Sequence, residues 1–202
     1  RLCINRFRLA VELACQQMGY ELLRWIDDNQ LKRLLGKEKV TLTRRVRDAQ
    51  TGHETHVEEE HRLKIPDGYF WIDMGSAGQR HCFFELDNHS LTLRYSEPNP
   101  KDYAAKVRTL AAFYRSGRYQ QLFPEAGDSM WLLTVTTGSQ RRMANLKQTA
   151  ENVLGQTRAA DRYWFACMDD IPTWQQPFST AVFEPIWQRA GQERWWRLDE
   201  TI

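Results

Sequence analysis

The sequence predicts a mixed central β-sheet flanked by helices, an α/β or α+β domain with an inserted β-hairpin. Three observations lead there. Stretches with apolar residues at three- and four-residue steps alternate with short strand-like runs. Two of those runs, "SMWLLTVTT" and "RYWFACMDD", are apolar through most of their length and belong in the middle of a sheet. Other strands arrive as hairpin pairs ahead of a helix, strand, helix, strand tail, an order that suits a mixed sheet with helices packed on it.

Each element has its own signals. Phe7, Ala10, Val11, Ala14 and Met18 make one face of a helix from Arg6 to Met18, and Gly19 stops it. "YELLRWIDD" reads as a short buried strand, after which Asp28 or Asn29 caps a helix through Leu35 that Gly36 closes. "VTLTRRVRDAQTGHETHVEEEHRL" alternates Val40, Leu42 and then Val46 and carries the turn signal Thr51-Gly52, which predicts a hairpin reaching out from the core at about residues 38–63. "IPDGYFWIDM" and "RHCFFELDN" form a second hairpin through "GSAGQ". In "NPKDYAAKVRTLAAFYRSG", Asn99 caps a helix, Pro100 takes its first position, Asp102 lies in its first turn and Gly117 follows its end. Ser139 starts the helix of "QRRMANLKQTAENVLGQ", and "FEPIWQRAGQERWWRLDET" is a short C-terminal element.

With 202 residues the chain suits one domain, residues 1–202, with a sizeable core. No apolar run approaches the roughly 18 residues that cross a bilayer, and "RLCINRFRLAVELACQQ" lacks the apolar core and cleavage site of a secretory signal. A soluble, cytoplasmic protein is expected. The chain does not open on Met, which suggests a longer parent. Cys3, Cys15, Cys82 and Cys167 are scattered among apolar neighbours with no CxxC pair, and read as small buried residues of a reducing compartment. The net charge of +2 does not announce a nucleic-acid binder. Local charge does vary: Lys32 to Arg47 is crowded with Lys and Arg, among them Arg44, Arg45 and Arg47, and "ETHVEEE" just after it is acidic. The segment is either a solvated hairpin or a surface that tracks phosphates.

The residues that carry chemistry lie in "KIPDGYFWIDMGSAGQRHCFFELDNHS". Side chains two apart on a strand share a face, so Glu85 and Asp87 project together. Antiparallel pairing brings Asp67, at the start of the preceding strand, towards them. Three converging carboxylates suit Mg²⁺ or Mn²⁺, which bind through a few carboxylates, several waters and a substrate phosphate. On the following helix Tyr103, Lys106, Leu110, Phe113 and Tyr114 fall along one stripe, and a Lys there calls for a nearby anion. The alternatives are solvated acids at strand ends and a Lys that snorkels to water.

This pattern resembles the PD-(D/E)xK nuclease superfamily and, more narrowly, the replication-relaxation family of bacterial plasmids and mobile elements. Asp67 in "PDG", the strand "CFFELDNHS", the helix "KVRTLAAFY", the late "FEPIW" and the opening "CINRFRLAVELACQQMGYELLRWIDDNQL" carry the resemblance. It implies a PD-(D/E)xK nuclease-like core, DNA as partner alongside other replication or mobilisation proteins, and an N-terminal winged helix missing from these residues. Active nucleases of the superfamily carry a Lys two residues after the Glu; here Asp87 stands in its place. Activity then requires a migrated Lys. Lys106 is the candidate, ahead of the more exposed Lys101. Asp67, Glu85 and Asp87 would hold Mg²⁺ or Mn²⁺, and Lys106 would orient water.

Other signals are weaker. His53 and His56 with Glu58 to Glu60 show no regular ligand spacing, and His89 could share the carboxylate face. Arg141 and Arg142 sit in the first turn of a helix, where cations oppose the dipole, which suits a phosphate or a partner acid. Trp71, Trp131 and Trp164 read as core, and Trp195 and Trp196 beside Arg194 and Arg197 either cap the core or stack on bases. No Gly-rich phosphate loop or GxSxG elbow supports a kinase, hydrolase or dehydrogenase. The competing reading is a non-enzymatic scaffold or homodimerisation module, with an apolar patch around Trp187, Trp195 and Trp196.

Overall fold

A computed structural model describes residues 2–47, 50–88, 102–155, 157–172 and 180–200. Helix α1, Leu2–Met18, ends where Gly19 takes a φ of 70°. Strand β1, Glu21–Asp27, leads into helix α2, Asp28–Leu35. The cap of α2 is Asp27, one residue earlier than expected: its carboxylate accepts from the Gln30 N–H while the Gln30 side chain accepts from the Asp27 N–H, a reciprocal capping box.

Strands β2, Lys39–Arg47, and β3, Glu54–Arg62, pair antiparallel and form a two-stranded sheet of their own, the inserted hairpin. Its base is fastened to the body by buried Val40 and by Leu42. Strands β4, Gly68–Asp73, and β5, Gln79–Asp87, follow, then helix α3, Tyr103–Arg115, strand β6, Trp131–Thr136, helix α5, Gln140–Leu154, and strand β7, Tyr163–Cys167. A short helix α4, Arg118–Leu122, sits between α3 and β6. Strands β8, Trp187–Arg189, and β9, Trp195–Trp196, make up the C-terminal element. The main sheet runs β1-β4-β5-β6-β7-β8-β9. It is antiparallel except for the central β5/β6 and β6/β7 pairs, which are parallel. The fold is therefore mixed α/β with a mostly antiparallel central sheet flanked by helices.

Period-two alternation along the inner strands divides the core. Tyr69, Phe83, Leu132 and Phe165 face α3 and α5, whereas Phe70, Phe84, Leu133 and Trp164 face α1 and the C-terminal element. Glu85 and Asp87 follow Phe83 at two-residue steps and so share the α3/α5 side.

Three further expectations need correction. Strand β1 is not buried: it pairs on one side only, with β4, a register shift falls between Leu22 and Arg24, and Ile26 alone of the strand is buried. Asp102, not Asn99, caps α3, its carboxylate accepting from the Ala104 N–H 2.8 Å away; Asn99 and Pro100 lie outside the described residues. Helix α4 was not expected, because Gly117 with a φ of 74° reads in sequence only as an end to α3 and here also opens the next turn. Cys15, Cys82 and Cys167 are buried thiols, and Cys3 is partly covered. No helix among the described residues is long and apolar enough to cross a membrane.

Candidate active site

The site forms where the C-terminal half of β5 meets the first turns of α3 and α5. Gly68 pairs with Phe84, so one step back along the antiparallel ladder Asp67 lies opposite Glu85. Asp67 accepts a hydrogen bond from the Leu86 N–H at 2.9 Å through Oδ2. Its other carboxylate oxygen takes no hydrogen bond among the described residues. β5 and β6 run parallel with Glu85 beside Thr134 and Asp87 beside Thr136, which puts two acids and two hydroxyls on one face.

Glu85 is 2% exposed. Its Oε1 is ion-paired with the Lys106 ammonium, which comes across from the first turn of α3. Its Oε2 is buried and has no hydrogen-bond partner among the described residues. Burial in the sheet pushes the Glu85 carboxyl up to about 7, Lys106 pulls against that shift, and the negative charge of Asp67 adds to it. A buried carboxylate with one oxygen open beside a second carboxylate is a cation-seeking arrangement.

Asp87 is 0% exposed, and both its oxygens are occupied. Arg142, in the first turn of α5, donates from Nη2 to Oδ1 and from Nε to Oδ2, each at 2.8 Å. The Thr136 hydroxyl donates to Oδ2 at 2.8 Å and accepts from the Gly138 N–H at 3.0 Å, while the Thr137 N–H donates to the Asp87 carbonyl at 2.9 Å. These bonds tie the ends of β5 and β6 to the start of α5. Arg142 thus finds a partner acid, one of the two roles its position against the helix dipole suggested.

The structure brings together Asp67, Glu85 and Lys106, and sets Asp87 apart with Arg142. Among the described residues no three His, Cys, Asp or Glu side chains gather as one metal-binding group. His53 and His56 stay exposed, and His61 sits 3.4 Å from Glu59. His89 and Lys101 lie outside the described residues. Arg141 is exposed on α5. Arg44 faces Glu59 at 3.6 Å, and the Arg47 Nε donates to the Gly52 carbonyl at 3.3 Å, closing the hairpin turn. Arg45 stands opposite His56 on the far side of the hairpin. Trp187 and Trp196 are buried, Trp196 lying under the guanidinium groups of Arg189 and Arg194, so Trp195 is the exposed member of that trio.

Sequence reasoning missed Thr134 and Thr136, and placed Tyr103 only on the core-facing stripe of α3. The Tyr103 hydroxyl shares a 2.8 Å hydrogen bond with Thr134, bracing the start of α3 against β6. A signal was present: Thr134 and Thr136 repeat at the same two-residue step as Glu85 and Asp87 in a strand that is otherwise apolar. Comparison with known proteins found no matching family model, no matching curated protein and no matching solved structure.

Proposed function

We propose that the chain is a DNA-associated protein with a PD-(D/E)xK nuclease-like core, of the replication-relaxation kind carried by plasmids and mobile elements. In this reading Asp67, Glu85 and Lys106 form a Mg²⁺- or Mn²⁺-dependent phosphodiester-cleaving centre. The observation that carries it is Glu85: buried, engaged through one oxygen by Lys106 and without a hydrogen-bond partner for the other among the described residues, beside Asp67. The order of elements agrees, with β4 and β5 antiparallel and α3 crossing over to the parallel strand β6.

Asp67 and Glu85 would hold the ion, with waters and a substrate phosphate completing its shell. A bound divalent ion polarises the phosphoryl oxygen and lowers the pKa of a coordinated water. Lys106 balances the Glu85 charge and orients the attacking water by donation from its ammonium. Asp87 enters as the anchor of Arg142, since its oxygens are already bonded. The occupancy of those oxygens also favours a second reading, a catalytically inactive scaffold with DNA held by a separate winged helix. Incubation of supercoiled plasmid with the protein and Mg²⁺ decides between them. Nicking that falls by about 100-fold or more in Glu85→Ala and Lys106→Met supports the first reading. Intact plasmid with the unaltered protein supports the second.

A further inference from the structure

The inserted hairpin leaves a hollow on each side of its junction with α3. One, of about 750 Å³, lies between β2, the end of α3 and the end of α5. The other, of about 490 Å³, lies between the two hairpin strands, the segment at Lys64 and the middle of α3. Leu42, Thr43 and Arg108 line both, so the hollows adjoin. Six cations, Lys39, Arg44, Arg62, Lys64, Arg108 and Arg115, and one carboxylate, Glu59, line them. Three of the six are ion-paired, Lys39 with Glu60, Arg44 with Glu59 and Arg108 with Asp102. Glu59 is itself engaged with Arg44 and His61. Arg62, Lys64 and Arg115 form no ion pair among the described residues.

Such a concentration of like charge is costly unless an anion fills it. The hollow with Arg62 and Lys64 also adjoins the candidate active site. The Lys64 N–H donates to the Thr109 hydroxyl at 3.2 Å, that hydroxyl donates to the Lys106 carbonyl at 3.1 Å, and Asp67 follows three residues after Lys64. The Lys64 end of the groove therefore lies against the stretch of α3 that carries Lys106.

We propose that this groove seats one strand of single-stranded DNA by its phosphates and leads it to the Glu85 centre. The proposal rests on the DNA reading above. Unpaired cations spread over two adjoining hollows suit the one flexible backbone of a single strand, whereas a duplex presents two backbones on a rigid cylinder. No Phe, Tyr or Trp among the described residues lines either hollow, His61 being the one ring there, and apolar Val40, Leu42 and Val153 offer a floor for sugars, so binding should be indifferent to sequence.

The test is fluorescence anisotropy in EDTA with a labelled 20-nucleotide single strand, the same sequence as duplex, and its RNA counterpart, across a salt series. The variants are Arg62→Glu with Arg115→Glu, and Arg8→Glu as a surface control on α1, across the sheet from the groove. The proposal expects single-stranded DNA to bind most tightly, the double variant to weaken binding at least tenfold with a shallower dependence on salt, and Arg8→Glu to change little. Tighter binding of duplex or RNA, or unaltered binding by a correctly folded double variant, would overturn it. Because no divalent ion is present, the outcome is independent of the catalytic proposal.

Discussion

Two ion pairs stand two residues apart on β5, and they are built for different ends. Asp87 meets Arg142 in a bidentate pair, adds a threonine hydroxyl, and has neither oxygen left over. Glu85 meets Lys106 through one oxygen, keeps the other buried and without a hydrogen-bond partner among the described residues, and has another carboxylate nearby. A saturated buried pair locks two elements together. An unsaturated one leaves an oxygen for a further partner.

The comparison is open to breakage, most severely at Asp87. Asp87→Ala leaves the Arg142 guanidinium, 17% exposed, without its acid and detaches α5 from β5 and β6. The expected cost is about 3–5 kcal/mol in a denaturant titration, a large share of a domain's stability. Glu85→Gln should behave oppositely. A carboxyl raised from 4.5 to about 7 binds its proton more tightly in the folded than in the unfolded chain, so its contribution to stability declines as pH rises between those values. The decline amounts to about 3 kcal/mol, and Glu85→Gln should abolish it and unfold later than the unaltered protein at pH 8. Stability curves at pH 4.5 and pH 8 for the two proteins measure this.

Lys106→Met sharpens the contrast further. Removing the one cation that favours ionised Glu85 should raise its carboxyl beyond about 7, moving the pH midpoint for divalent-ion binding upward by about one unit. Calorimetric titrations over a pH series report that midpoint. The smallest effect belongs to Thr136→Val, which removes the hydroxyl that donates to Asp87 and accepts from the Gly138 N–H and leaves Arg142 in place; about 1–2 kcal/mol is expected from thermal unfolding.

Much of this site was legible in the sequence because period-two alternation is a local rule. Glu85 and Asp87 had to share a face, and the helical stripe of Tyr103 and Leu110 had to carry Lys106 with it. The pairing of Asp87 with Arg142 was not legible, because it depends on the parallel register that sets Asp87 beside Thr136 and on where α5 begins. Long-range register leaves no trace in local pattern. For the same reason β1 reads as buried from its Leu, Trp and Ile residues, although its edge position exposes most of the strand. The hairpin's alternation was plain, yet the neutralising role of its acidic strand emerged only once Glu59 faced Arg44 and Glu60 met Lys39.

The central claim is that Glu85 is the open pair and Asp87 the closed one. Calorimetric titration of Mn²⁺ at pH 8 into the unaltered protein, Glu85→Gln and Thr136→Val tests it most directly. The account predicts one binding site in the unaltered protein and in Thr136→Val, and none in Glu85→Gln. Binding that survives in Glu85→Gln, or that is absent from the unaltered protein, would contradict it.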